Sequence, residues 1–210
     1  WAGKNGTTTG QTTQEHATNH NPFLVWKGGN LAHFELRCCY KITPNNHTGF
    51  ANSGIQYRSQ IADPARFIVG GYQADMEAGK TYSGILYEER GRGILAKRGE
   101  KLTIDRDGKK ESVSIGDPAE LAKVIHKDDW NIYEVEAIGP VLKHTINGTL
   151  MSETIDHDKA HRATSGILAL QVHANLPAPM TVSYRKILLE ELDAKKTKKE
   201  KGQKKAAKAT

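Results

Sequence analysis

Four segments of the chain alternate apolar residues with side chains that bind hydroxyl groups or carry protons. In Asn52-Ser53-Gly54-Ile55-Gln56-Tyr57-Arg58-Ser59, strand alternation puts Ile55 and Tyr57 on one face and Gly54, Gln56 and Arg58 on the other. Gly71-Tyr72-Gln73-Ala74-Asp75-Met76 sets Gln73 and Asp75 against Tyr72, Ala74 and Met76. Gly166-Ile167-Leu168-Ala169-Leu170-Gln171-Val172-His173 points Gln171 and His173 away from Leu168, Leu170 and Val172. In Gly84-Ile85-Leu86-Tyr87-Glu88-Glu89-Arg90-Gly91-Arg92, Tyr87 and Glu89 share a face and Glu88 takes the other, provided the strand runs past Glu88. Histidine titrates near neutrality. Amide, guanidinium and carboxylate groups make directed hydrogen bonds, and an aromatic ring can stack on a pyranose. The set suits a hydroxyl-rich ligand such as a sugar. A merely solvated sheet face is the competing reading, although such faces favour Lys, Thr and Glu, and this one is rich in Gln, Asn, Arg, Tyr and His.

These side chains need strands to hold them. Short alternating runs separated by Gly, Asn, Asp and Pro recur along the chain with almost no helical periodicity. Strands are expected at 23–26, 32–42, 53–60, 67–76, 84–88, 101–105, 110–114, 131–138, 141–146, 149–154, 165–173 and 180–189. Asn147-Gly148 supports a tight hairpin turn, and the segment around Gly108 reads as another. Asp117-Pro118-Ala119-Glu120 starts the one expected helix, with Asp117 as N-cap, Pro118 as first residue and Glu120 as capping-box partner. Strands without crossover helices predict an all-β fold of two antiparallel sheets packed face to face; an open barrel is the alternative.

The chain has 210 residues, a formal net charge of +6 and 37% hydrophobic residues, with no apolar run long enough to span a membrane. The charge is unevenly placed. Lys195–Thr210 holds eight of the 30 basic residues and one of the 24 acidic ones, so the preceding 194 residues carry 22 basic against 23 acidic. The basic excess therefore does not mark a nucleic-acid-binding fold. The sequence predicts a domain over 1–192 and a disordered Lys-rich tail over 193–210. No signal peptide is visible, and the start at Trp1 without Met favours a trimmed chain. The adjacent Cys38 and Cys39 are expected as free thiols on opposite faces of a strand.

The same segments resemble the 3-keto-disaccharide hydrolase family. The resemblance is carried, in order, by Phe34-Glu35-Leu36-Arg37, Asn52-Ser53-Gly54-Ile55-Gln56-Tyr57-Arg58, Gly71-Tyr72-Gln73-Ala74-Asp75 and Gly84-Ile85-Leu86-Tyr87-Glu88-Glu89. It continues through Asp129-Trp130-Asn131, Ile146-Asn147-Gly148, Gly166 to His173 and Tyr184-Arg185-Lys186-Ile187. Two departures stand out. The family's opening Phe-Asn-Gly-like strand with its Trp is absent, and Gln171-Val172-His173-Ala174 stands where members often have Gln-Asp-His-Gly.

The resemblance implies a concanavalin A-like jelly roll with a sugar on its concave sheet, a carbohydrate partner and a periplasmic or secreted location. It also implies cleavage of glycosides already oxidised at C3. A C3 ketone acidifies the C2 proton; a base removes it, the aglycone leaves C1 by β-elimination, and water can then add. Such chemistry needs one base and an oxyanion stabiliser. On this reading His173 is the base. Glu88 and Glu89 follow as acid, base or metal ligand. Arg58 faces the keto oxygen or enolate unless it pairs with Asp75. Gln73, Asp75, Arg92, Asn131 and Gln171 bind substrate, and Tyr87 stacks on the ring. No cofactor is required, though a divalent metal can stabilise the enolate. His157, Asp158 and His161, with Asp156, form either a metal site or a polar loop. A carbohydrate-binding module without catalysis is the alternative function. A two-carboxylate glycosidase ranks last, for want of alternating carboxylates on one strand.

Overall fold

The computed structural model describes residues 1–174 and 179–193. The expected tail beyond Asp193 lies outside the described residues. Fifteen strands follow in order: β1 (Ala2–Lys4), β2 (Thr7–Thr12), β3 (Phe23–Val25), β4 (Phe34–Pro44), β5 (Asn52–Asp63), β6 (Ile68–Glu77), β7 (Leu86–Glu89), β8 (Gly93–Ala96), β9 (Glu100–Ile104), β10 (Lys110–Ser114), β11 (Asn131–Ile138), β12 (Val141–Ile146), β13 (Thr149–Asp156), β14 (Ile167–Gln171) and β15 (Met180–Glu191). A short helix, α1 (Pro118–Ala122), lies between β10 and β11. β1, β2 and β8 are additions to the expected set. Thr7-Thr8-Thr9-Gly10 has no apolar alternation to announce a strand, and β8 is only four residues long.

Two sheets pack face to face as a jelly roll. One has nine strands in the order β1-β2-β15-β4-β11-β12-β13-β9-β10, the other six in the order β3-β14-β5-β6-β7-β8. Pairing is antiparallel except between β13 and β9. Inward-facing residues of both sheets form the core. Phe34, Leu36, Cys38, Tyr40 and Ile42 of β4, with Val182 and Tyr184 of β15, meet Ile55 and Tyr57 of β5 and Tyr72, Ala74 and Met76 of β6. Each strand gives alternate side chains to this layer, which fixes register, since a one-residue slip would turn the apolar set outward.

Local signals act as their chemistry dictates. Asn147 and Gly148 both take positive φ, 49° and 80°, in the β12–β13 turn, the geometry a two-residue hairpin needs. Asp117 caps α1 by accepting from the Ala119 and Glu120 amides. The expected capping-box role of Glu120 is corrected: its carboxylate instead takes Lys123 Nζ at 2.7 Å. Cys38 is buried and Cys39 half-buried, both as free thiols, and burial pushes the Cys38 thiol up to about 12. Among the described residues, no helix is long and apolar enough to cross a membrane.

Candidate active site

The outer face of the six-stranded sheet carries a cavity of about 360 Å³. Its wall combines Gln73 and Asp75 from β6, Tyr87 and Glu89 from β7, Gln171 and His173 at the end of β14, and Asn52 from β5. Asn21, Phe50, Tyr82, Ile85 and Ile94 close the rim. A larger cleft of about 570 Å³, lined chiefly by Leu24, Val25, Trp26, Leu168 and Leu170, is mostly apolar, with Lys27 and Cys38 as its titratable side chains and no carboxylate or histidine among its described lining residues.

Alternation explains the cavity. Gln73 and Asp75 face outward because Tyr72, Ala74 and Met76 face the core, and Tyr87 and Glu89 face outward because Leu86 and Glu88 face in. Registry then sets Gln56 of β5 beside Gln73 and Gln73 beside Tyr87. Gly54 makes room for this. A Cβ there would stand 2.5 Å from Gln73 Cδ, so only glycine lets the Gln73 amide lie across β5.

A continuous polar chain crosses the cavity floor. The Gln56 and Gln73 amides meet at 2.8 Å, and the other end of Gln73 contacts the Asp75 carboxyl. Gln171 lies 3.1 Å from Gln73 and 3.3 Å from Glu89 Oε2. Asn21 reaches the same Glu89 oxygen at 3.5 Å and accepts the Ala174 amide at 2.8 Å, joining the end of β14 to the site. His173 Nδ1 is 3.1 Å from Ala174 O, and its ring meets Phe50 edge-on at 5.8 Å. In the tautomer that donates from Nδ1 to that carbonyl, the ring lone pair lies on Nε2.

Burial dominates the electrostatics. It raises the Asp75 carboxyl to about 8; hydrogen bonds from Gln73 and Asn52 pull the other way, and the Glu89 and Glu77 charges add to the rise. Glu89 is also raised, chiefly by burial, against hydrogen bonds from Asn21 and Gln171. The Tyr87 phenol moves up for the same first cause, with Glu89 and Asp75 contributing. Among the described residues no lysine or arginine lines the cavity; the nearby Arg90 charge lowers the proton affinity of Glu89 without outweighing burial.

Four expected site residues lie elsewhere. Arg58 has φ +46° at a bulge in β5, where the pairing with β6 shifts between Tyr57 and Gln60. A bulge breaks the two-residue alternation, so the guanidinium turns to Ala32 O and Gly139 O, each at 2.8 Å. Neither the keto-facing position nor the ion pair with Asp75 is formed. Glu88 faces inward and takes Arg92 Nε at 2.6 Å. Arg92 continues to Asp156 at 2.7 Å and Asp158 at 3.3 Å, and Tyr72 donates its hydroxyl to Asp156 at 2.6 Å. Both Glu88 and Arg92 are thus parts of an ion-pair network that closes one end of the sandwich. That network takes in Asp156, Asp158 and His161 of the expected cluster, with His161 Nδ1 2.9 Å from Asp158; His157 is exposed and stands outside it. Asn131 bonds both the amide and the carbonyl of His126 at 2.8 Å and ties down the loop before β11. Trp130 is covered by the Arg185 guanidinium, 3.8 Å from its ring centre.

Asn21, Phe50, Asn52 and Tyr82 were not anticipated. Asn52 shares parity with Gly54 and Gln56 and was readable; Asn21, Phe50 and Tyr82 come from connecting segments without periodicity. Among the described residues, no group of three or more His, Cys, Asp or Glu side chains is placed to hold a metal ion.

Solved structures share this fold. The carbohydrate-binding module CBM66 from Bacillus subtilis superposes with a TM-score of 0.54 at 13% identity, over 89% of this chain and 96% of that one. A protein described as a putative glycosyl hydrolase from Parabacteroides distasonis gives 0.55 at 15% identity, over 92% and 83%. A Bacillus subtilis protein of galectin-like fold gives 0.54 at 10% identity, over 88% and 89%. At such identities the likeness concerns the fold alone. No curated protein sequence matches the chain. The sequence itself matches a family over residues 1–190, which take in both sheets and every residue of the cavity: the chain belongs to the 3-keto-alpha-glucoside-1,2-lyase-like domain family.

Proposed function

We propose that the protein cleaves glycosides bearing a ketone at C3 by removing the C2 proton and expelling the C1 aglycone. The observation that supports this most is one cavity holding a histidine, a buried and a half-buried carboxyl of raised proton affinity and a row of amides, with no lysine or arginine among its described lining residues. His173 Nε2 takes the C2 proton. The C–H electron pair becomes the C2–C3 enolate; as the C3 ketone re-forms, that pair makes the C1–C2 double bond, the C1–O bond breaks with its own pair going to oxygen, and water can add across the double bond for net hydrolysis. Neutral amides of Gln171 and Asn52 orient hydroxyls and the enolate oxygen, Gln73 holds the floor beneath them, and Tyr87 packs on the ring. General-base chemistry of this kind contributes typically 10²–10⁴-fold.

The test compares 3-keto and unoxidised forms of one glucoside. The expected result is turnover of the keto form alone, with solvent deuterium exchanging at C2. His173→Ala should lose about 10²–10⁴-fold in turnover and exchange together, while binding weakens far less, since one hydrogen bond is worth about 0.5–1.5 kcal/mol. Retained exchange in that variant would show that His173 is not the base. Binding of sugar without turnover by the unaltered protein would overturn the enzymatic reading in favour of a binding module.

A further inference from the structure

The two ends of a glutamine amide have nearly the same shape, so its orientation is decided by its neighbours. At Gln56 the neighbours are decisive. The end turned toward β6 lies 3.0 Å from Tyr72 O and 3.3 Å from Gly71 O. Backbone carbonyls only accept, so that end is the NH₂ group. The bulge between Tyr57 and Gln60 interrupts the ladder here and brings the side chain to these carbonyls. Ser59 Oγ, 2.6 Å from the same end, both donates and accepts and is compatible with this orientation.

The polarity then propagates. The oxygen end of Gln56 is 2.8 Å from Gln73, so Gln73 presents its NH₂ group there and its oxygen to Asp75. That oxygen is in hydrogen-bond contact with a carboxyl oxygen of Asp75. Two oxygens can share such a contact only with a proton between them. Gln171 turns in the same sense, its oxygen accepting from the Gln73 nitrogen at 3.1 Å, and a proton on Glu89 completes that branch at 3.3 Å.

We infer that Asp75 stands in the cavity as a neutral carboxylic acid at neutral pH, held so by the amide polarity that starts at Gly71 O and Tyr72 O, and that it is the acid that protonates the oxygen leaving C1. The second half rests on the elimination reading above. The step balances. The C1–O electron pair passes to the aglycone oxygen as that oxygen takes the Asp75 proton, while the C2 proton stays on His173 until it returns through solvent. The carboxylate left behind retains the Asn52 hydrogen bond. Burial acts in the same direction, since it disfavours the ionised form of Asp75; with the Gln73 amide turned oxygen-first, its contact favours the neutral acid, where a nitrogen-first amide would oppose it.

Two measurements test the halves separately. The first is a carboxyl ¹³C NMR titration of protein labelled at aspartate, with Asp75→Asn used to assign the signal. The expected result is a neutral Asp75 at pH 7. In Gln56→Met, Gln73 is free to turn its nitrogen to the carboxyl, and the proton affinity of Asp75 should fall about tenfold. An ionised Asp75 in the unaltered protein at pH 7 overturns the inference even if Gln56→Met does not fold. A neutral Asp75 that Gln56→Met leaves unmoved overturns the amide chain as the cause.

The second measurement uses 3-keto glucosides with graded aglycones. Asp75→Asn should cost about 10²–10⁴-fold in turnover for an alkyl alcohol and much less for a nitrophenol, which leaves without a proton. Equal losses for both overturn the acid role. Absence of turnover by the unaltered protein overturns that role together with the elimination reading, and the titration still decides the protonation state.

Discussion

Replacing Asp75 by Asn should stabilise the fold, and increasingly so as pH rises. The unfolded carboxyl ionises near its ordinary value of 3.8, whereas the folded one holds its proton to about 8. A folded-state affinity above the unfolded one gives stability that is full below pH 3.8 and is lost as pH rises through about 8. At about 1.4 kcal/mol per decade of proton affinity, the gap sets a ceiling near 6 kcal/mol. Relaxation and water entry around a buried charge reduce this to roughly 2–4 kcal/mol. Asparagine keeps the shape, the donor to Gln73 and the acceptor for Asn52, but has no charge to bury. Urea denaturation of both proteins at pH 4.5, 6, 7.5 and 9 measures the effect. Near pH 4.5 the two stabilities should agree within about 1 kcal/mol; by pH 9 the variant should lead by roughly 2–4 kcal/mol. Titrating groups remote from Asp75 are common to both and cancel in the difference, while its neighbours Glu89 and Glu77 contribute to it. Parallel curves over the whole range would refute the raised proton affinity, and with it the account of the cavity as a site that favours neutral acids.

Other consequences can be checked alongside. Buried His144, bonded to Tyr57 OH at 2.9 Å and Ile85 O at 3.0 Å, has its proton affinity lowered by burial to about 4 from 6.5; it should cost the fold up to about 3 kcal/mol as pH falls from 6.5 to 4, and His144→Gln should flatten a thermal melting series across that window. Glu88→Gln should lower the melting temperature by about 4–8 °C, corresponding to about 2 kcal/mol in a chain of this size, while sugar binding measured by calorimetry stays unchanged; Glu89→Gln should do the reverse. Gly54→Ala drives a methyl into Gln73 and should weaken sugar binding more than tenfold by the same calorimetry. A thiol reagent should find one reactive cysteine, Cys39, in the folded protein and two after unfolding.

The two sheets were legible because alternation is a purely local pattern, and the expected placements of Gln73, Asp75, Glu89, Gln171 and His173 rested on nothing else. The same rule failed at Arg58, where a bulge adds a residue and a positive φ turns the side chain away. Nothing in the run from Ile55 to Ser59 marks that bulge, since the glycines that admit it lie elsewhere, Gly71 in β6 and Gly166 just before β14. A Cβ on either glycine would stand within 2.9 Å of Ser59 atoms. Arg92 lies past the end of β7, beyond the reach of alternation, and long-range charge decided its position. Asn131 shares its strand's inward parity, yet its amide turns back to the His126 loop, a contact set by a turn that sequence pattern does not encode. Asn21 and Phe50 enter the cavity from segments whose path depends on the finished sandwich.

The neighbours Glu88 and Glu89 have a consequence for how this protein can change. Chemically alike and adjacent, they serve unconnected purposes, one cementing the scaffold through Arg92 and the other exposed to whatever enters the cavity. The same division runs along β6, where Tyr72 and Gln73 part company. Selectivity can therefore drift at one set of alternate positions while the other set keeps the chain foldable. A laboratory library confined to 73, 75, 87, 89 and 171 would explore new ligands with most of its members still folded, whereas a library shifted by a single residue would mostly yield misfolded chains.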